Sequence, residues 1–489
     1  MKSVTNLHTS SMKPIVIFFF VVFGFFFVFF TQISPLSVFE MDEWTHNNVT
    51  RGLYPEFGKW NPSRVLPEVA NSFVADLSNW ALKPFIGDYL DSLVVGHSIV
   101  ISLFIAAFST FIYRFLVKRF SLKILEAGFL ATILTILNLL IFKTSATNNL
   151  SVFALDNHIL FYFYTLPAML DIVIVLMIYE RNDLSKANKY WGWLILLVYL
   201  GVFSNLFTSV ILLGWAVLSL FIDIIKRKKQ TYIEVIKHNW INLAIIFLFV
   251  VSLIFESSGG RAGDFNNINL LTEIKRSIKI LAGVFSGVNL LAGLFLLMGI
   301  LFSIKSIMEK RNPNRLLMVK LLFNSILIIL FEIILCARVG SGKIGNTQVT
   351  GIIFLNIFIV AIFGWAEIIH EHRAIVNILP IIVMVMFFES KPLSSTTFRP
   401  VNPARVNGRV AQQISRDWLN DLLEKYNRGD RSITVNVPKF NGPDNYPLSV
   451  RTTQHIAQLL LRHNVISEPI SLEFHPDINL NSKYGIHKE

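Results

Sequence analysis

Long apolar runs separated by short polar connections dominate the chain, and their positions predict membrane helices near 14–33, 92–117, 122–143, 157–179, 190–204, 206–225, 239–255, 280–304, 316–337, 349–369 and 373–388. Runs of this length suit a hydrocarbon core about 30 Å thick. The stretch 190–225, as one straight helix, would reach about 54 Å, so two shorter helices turning at Ser204-Asn205 fit better. The first run, Pro14 to Ile33, is too long for a signal-peptide core and carries no small-residue cleavage site. It is expected to stay as an anchor helix.

Between the first two runs, Leu66, Val69, Phe73, Leu77 and Trp80 recur at helical spacing and predict a helix lying on the membrane surface. Ile268, Leu271, Ile274 and Ile278, interleaved with Lys275, Arg276 and Lys279, predict a second such helix before the eighth run. After Phe388 the pattern turns polar. Val410, Ile414, Trp418 and Leu422 mark an amphipathic helix ending at Arg428-Gly429; Ser432–Val437 and Ile470–Phe474 read as strands, with helix from Val450 to His463. The expected fold is therefore an all-α polytopic membrane protein of about eleven transmembrane helices, residues 1–390, with a small α/β C-terminal domain, residues 391–489.

Charge orients this scheme. Arg114, Lys118, Arg119 and Lys123, then Arg181, Lys186 and Lys189, then Lys226 to Lys229, then Lys305, Lys310, Arg311 and Arg315 all fall on one side of the eleven-helix layout, which makes that side cytoplasmic. The N-terminus is then inside, and the first loop, residues 34–91, lies outside with the C-terminal domain. Composition agrees: 53% of the 489 residues are apolar, 43 are phenylalanine, and mean hydropathy is +0.56. The net charge of +12 has its explanation in basic cytoplasmic loops and calls for no nucleic-acid partner. Cys336 is the only cysteine, which excludes an intrachain disulfide and a CxxC metal site.

The richest chemistry lies in the first loop. Phe39-Glu40-Met41-Asp42-Glu43-Trp44-Thr45-His46-Asn47 sets three carboxylates within four residues, whose mutual repulsion favours a proton on one of them and makes a general base available. Trp44 and Trp60 offer flat faces for a sugar, and Lys59-Trp60-Asn61-Pro62-Ser63-Arg64 adds cations beside a proline turn. Asp156 and His158, at the outward start of the fourth run, could face the same cavity as this loop. Two outer loops carry donors suited to phosphate: Ser257-Ser258-Gly259-Gly260-Arg261-Ala262-Gly263, and Arg338 with Gly340-Ser341-Gly342-Lys343. The second is no nucleotide loop, because Ala337 stands where the first glycine is required and Ile344 where Ser or Thr is required. Asp171 and Glu332 fall inside spans, as packing hydrogen-bond partners or functional charges. His370-Glu371-His372 does not present its histidines on one helix face, and no metal site is expected there.

Many spans, an inside N-terminus, an acidic first outer loop with surface helices and a polar outer C-terminal domain together resemble the GT-C class of membrane glycosyltransferases. Within it, Glu40-Met41-Asp42-Glu43, Lys59-Trp60-Asn61-Pro62-Ser63-Arg64 and the terminal domain look like phage-type serotype-converting O-antigen glucosyltransferases. The resemblance implies a bacterial inner-membrane enzyme with a periplasmic site. It implies transfer of a hexose from a polyprenyl-phosphate sugar donor to a glycan acceptor such as O-antigen, with no cofactor required, although a carboxylate cluster could hold a divalent cation. Asp42 matches the class's catalytic base through the Asp42-Glu43 pair, and Glu40 is the alternate. Trp44, His46, Trp60, Arg64, Asp156, His158, Arg261, Arg338 and Lys343 are the expected substrate-binding residues. An O-antigen polymerase or ligase, and a transporter or flippase of lipid-linked sugars, are the competing readings.

Overall fold

A computed structural model describes residues 12–48, 63–142, 158–182, 191–226, 232–258, 269–345, 347–390, 406 and 408–486. The expected site residues Trp60, Asp156 and Arg261 lie outside the described residues.

Helix α1 (Met12–Val28) runs into a wider π turn, Phe29–Ile33, and is so rich in phenylalanine that it has apolar side chains on every face. Phe26, Phe29 and Phe30 are buried, while Phe20, Val21 and Phe25 face outward. Ser98 Oγ donates to the Phe30 carbonyl (3.1 Å), fastening α1 to α5. The short helix α2 (Met41–Asn47) follows, then α3 (Val65–Leu77), which continues through a π turn into α4 (Lys83–Ile86). Gly87, at φ 82°, ends α4 in a conformation that costs a residue without Cβ least. Phe73 is 61% exposed, Leu77 42% and Trp80 78%, so the later half of the apolar face expected here points away from the protein, while Leu66 and Val69 at its start are half-buried.

The Asp88 carboxylate caps α5 (Tyr89–Phe120) by accepting from the Asp91 N–H at 2.8 Å. The chain continues through α6 (Ile124–Leu140), α7 (His158–Leu160) with a π turn leading into α8 (Leu166–Asn182), α9 (Trp191–Val202) and α10 (Leu206–Lys226). The expected turn between the last two is present, and Asn205 Oδ1 accepts from the Phe207 N–H (3.0 Å) to start α10. Next come α11 (Tyr232–His238), α12 (Trp240–Ser258), α13 (Leu270–Ser286), α14 (Leu290–Met308), α15 (Arg315–Val339), α16 (Thr347–Glu371) and α17 (Leu379–Ser390). The expected span 280–304 is corrected. Its first turns belong to the amphipathic α13, and Asn289, whose side chain accepts from the Leu291 and Ala292 N–H groups, caps a new helix there.

Among the described residues, eight helices are long and apolar enough to cross a membrane. Ile124–Leu139, Gly192–Val202 and Arg373–Met386 are shorter apolar helices. The protein is thus polytopic and largely helical. The close approach of α14 and α16 rests on glycine: a Cβ on Gly364 would collide with the Gly299 carbonyl oxygen, and one on Gly299 would press on Ala361. Gly201 and Gly214 likewise leave room for the buried side chains of Asp171 and Asn324.

The C-terminal segment forms α18 (Gly408–Asn427), β1 (Ser432–Pro438), α19 (Thr453–Arg462), β2 (Ser471–Asp477) and α20 (Asn479–Lys483). The two strands pair in parallel with Val435 opposite Phe474. Their inward side chains, with Ile414, Trp418 and Leu422 of α18, join Val38, Phe39, Trp44, Tyr89 and Leu93 in one buried cluster. The C-terminal segment therefore shares its core with the first loop.

Candidate active site

The first turn of α2 sorts its three carboxylates by environment. Glu40 occupies the N-cap in extended backbone, and Glu43 sits at the third helical position, the register of a capping box. Glu43 Oε2 accepts from the Phe39 N–H (2.7 Å) and the Glu40 N–H (2.8 Å), so this side chain turns back into the protein. Glu40 Oε2 accepts from the Tyr446 hydroxyl at 3.0 Å, and the Met41 N–H donates to the Pro447 carbonyl at 3.0 Å. The C-terminal segment thereby fixes the start of α2. Asp42 is the exposed member of the three, and it pairs with no described residue.

Burial pushes the Glu43 carboxyl from its ordinary value of 4.5 up to about 8, against the pull of its backbone hydrogen bonds, and the neighbouring Asp42 charge adds a smaller push. A proton is therefore held on this cluster at neutral pH. Repulsion among the carboxylates is the lesser cause and burial the greater. Burial likewise raises the Tyr446 hydroxyl, helped by the charges of Glu40 and Asp42.

Behind Glu43 lies a buried polar cluster assembled from four parts of the chain. His158 Nδ1 stands 2.9 Å from Glu43 Oε1, out of line for a straight hydrogen bond. The His158 ring stacks on His97 with centroids 4.2 Å apart. His97 Nε2 lies 3.1 Å from Asn47 Oδ1, which can only accept, so Nε2 carries the proton and Nδ1 accepts from the Tyr162 hydroxyl at 3.2 Å. Asn71 Nδ2 donates to the same Asn47 oxygen (3.1 Å), bringing α3 into the cluster. Buried polar groups of this density bind α2 to α3, α5 and α7 and hold Asp42 on a rigid base.

Of the expected substrate-binding residues, His158 meets the first loop but is buried against Glu43, facing no open cavity among the described residues, and others are also placed differently. Trp44 is fully buried, its ring 5.2 Å from that of Trp418, so it is a core residue and no sugar platform: the C-terminal segment covers the face a sugar would need. The His46 ring packs on Phe163 at 4.9 Å. Arg64, in left-handed backbone at the start of α3, forms an ion pair with Glu256, and its N–H donates to the Phe203 carbonyl (2.6 Å). This places Arg64 as a tie between α3, the α9–α10 turn and α12, and a phosphate would have to compete with a carboxylate for it. Arg338 and Lys343 are exposed at the α15–α16 connection, whose turn packs against α13 and α16.

Asn47, Asn71, His97 and Tyr162 were not singled out by sequence. His97 carried a usable signal, an ionisable residue within a predicted span, of the same kind as Asp171 and Glu332. The asparagines and Tyr162 carried none. No group of three or more His, Cys, Asp and Glu suited to a metal ion occurs among the described residues. Compared with protein-family models, curated proteins and solved structures, the chain finds no match.

Proposed function

We propose that the protein is a membrane glycosyltransferase that moves a hexose from a polyprenyl-phosphate donor to a glycan acceptor such as O-antigen, with Asp42 as the general base. The observation that carries this reading is the division of labour in the first turn of α2: Glu43 is buried in a capping role, Glu40 bonds to Tyr446, and Asp42 alone of the three is exposed. A base must offer a lone pair to an incoming hydroxyl from a fixed position, and Asp42 combines open oxygens with an anchored helix.

The chemistry asks little else of the protein. The acceptor hydroxyl gives its proton to Asp42 as its oxygen bonds to the anomeric carbon, and the bond from that carbon to the phosphate oxygen breaks, releasing polyprenyl phosphate. Cations must stabilise the departing phosphate, and Arg261, Arg338 and Lys343 are the candidates from sequence. The outward-facing apolar side chains of α3 suit an enzyme whose donor lies in a bilayer. The reading places the site on the periplasmic face of a bacterial inner membrane.

Purified protein in lipid, supplied with a polyprenyl-phosphate sugar and acceptor glycan, should form glycosylated product. Surface glycan from cells with and without the protein should differ by one sugar substituent. Movement of the lipid-linked sugar across the bilayer with no product would reassign the protein to transport.

A further inference from the structure

At the end of the bundle opposite α2, a cavity of about 510 Å³ opens where α5, α14 and α16 finish. The carbonyl ends of these helices bring partial negative charge to its wall, and the carboxylates of Glu309, Glu367 and Glu371 add to it. Two of these share one cation, because Lys305 Nζ reaches Glu371 (2.7 Å) and Glu309 (3.5 Å). Glu367 differs. It is only 8% exposed, its oxygens accept from the amides of Asn312 (3.1 Å) and Asn314 (2.7 Å), and no described cation lies within ion-pair distance. Arg119, which also lines the cavity, is engaged elsewhere, donating to Asn314 Oδ1 (2.7 Å) and the Tyr179 hydroxyl (2.8 Å). On the same cavity, Lys310 and Arg311 are exposed and form no described ion pair.

We infer that this cavity binds the headgroup of a zwitterionic aminophospholipid, its ammonium on Glu367 and its phosphate on Lys310 and Arg311. A buried carboxylate held by two amides and lacking a cation favours a ligand with N–H donors, and the exposed cations beside it favour a phosphate. The ends of three helices long enough to span a membrane put the cavity at the depth of lipid headgroups, which singles out a lipid over a soluble zwitterion. A primary ammonium can donate hydrogen bonds to Glu367. A quaternary ammonium cannot, so the site should discriminate phosphatidylethanolamine from phosphatidylcholine. This assignment stands independently of the sugar-transfer reading.

The test uses the full chain purified in detergent and titrated with short-chain phosphatidylethanolamine, phosphatidylcholine, phosphatidylglycerol or free phosphoethanolamine. Thermal unfolding and retained lipid by native mass spectrometry are the readouts. Phosphatidylethanolamine should protect at concentrations about tenfold lower than phosphatidylcholine, the worth of one charge-assisted hydrogen bond. Glu367→Gln should erase that preference. Lys310→Glu with Arg311→Glu, at exposed positions that leave folding intact, should weaken both lipids together. Equal protection by the two zwitterionic lipids, stronger protection by phosphatidylglycerol, or an unaltered titration in the Lys310/Arg311 variant would overturn the proposal. Equal protection by free phosphoethanolamine would overturn the assignment to a lipid.

Discussion

Glu43 Oε1 and His158 Nδ1 stand 2.9 Å apart, both side chains almost wholly buried, so that the carboxyl closing the first turn of α2 is also the group by which α2 meets the α7–α8 helix. One side chain caps a helix with one oxygen and meets a distant element with the other. The position of Asp42 depends on that pair, and several consequences can be measured.

The first concerns pH. A carboxyl whose pKa is higher in the folded chain than in the unfolded one binds its proton more tightly when folded. Relative to a neutral isostere, Glu43 should therefore cost nothing below about pH 4.5, cost progressively more as pH rises, and level off above about pH 8. Glu43→Gln keeps one oxygen for the two backbone N–H groups. It should match the wild type near pH 4.5 and exceed it above pH 8 by an amount on the order of a few kcal/mol. Thermal unfolding in detergent across this range measures the gap, and a gap that does not widen with pH would place the proton elsewhere.

The second concerns the α14–α16 crossing. Gly364→Ala sets a methyl group against the Gly299 carbonyl oxygen, which belongs to the backbone and cannot rotate away. The helices must separate, at a cost of about 1–3 kcal/mol. Gly24→Ala, in α1 where nothing lies within 4 Å of the added carbon, is the matched control and should leave the melting temperature unchanged or slightly higher. Equal melting temperatures for the two variants would contradict the close crossing.

How far the sequence could carry the fold shows in these elements. Hydropathy marked nearly every span because a run of apolar residues is a local property, and the cap signals at Asn205 and Gly429 are local too. The break between α13 and α14 was hidden because Gly287-Val288-Asn289 interrupts apolar sequence on both sides and only the Asn289 side chain shows that a new helix starts. The spacing of Glu40 and Glu43 was a visible capping-box register. The cluster of Asn47, Asn71, His97 and Tyr162 was not, since the chain separates its members widely and only packing unites them. Trp44 was misread for the same reason, as its burial depends on Trp418.

A third consequence follows from the seam between α3 and the C-terminal segment. Arg462 pairs with Asp76, His463 Nε2 lies 3.0 Å from the same carboxylate, and His463 Nδ1 meets the Tyr89 hydroxyl at 2.8 Å. Partial burial pushes the Asp76 carboxyl up, but hydrogen bonds from His463 and Arg462 outweigh it and hold its pKa below the ordinary 3.8. The seam's contribution is therefore present above about pH 3.8 and lost only as pH falls through the lower folded value. Arg462→Ala should speed amide exchange in α19 while exchange in α5 beyond its first turns stays slow. Unchanged exchange in α19 would show that the shared apolar core alone docks the segment.

The central claim is that Asp42 removes the acceptor proton, and transfer by Asp42→Asn tests it most directly. Asparagine keeps the size and polarity of an exposed side chain, so folding and membrane insertion should persist, while sugar transfer from polyprenyl phosphate should fall by about 10²-fold or more. Glu40→Gln, which retains an acceptor for the Tyr446 hydroxyl, should lose much less. Near-normal transfer by Asp42→Asn alongside abolished transfer by Glu40→Gln would contradict the account and make Glu40 the base.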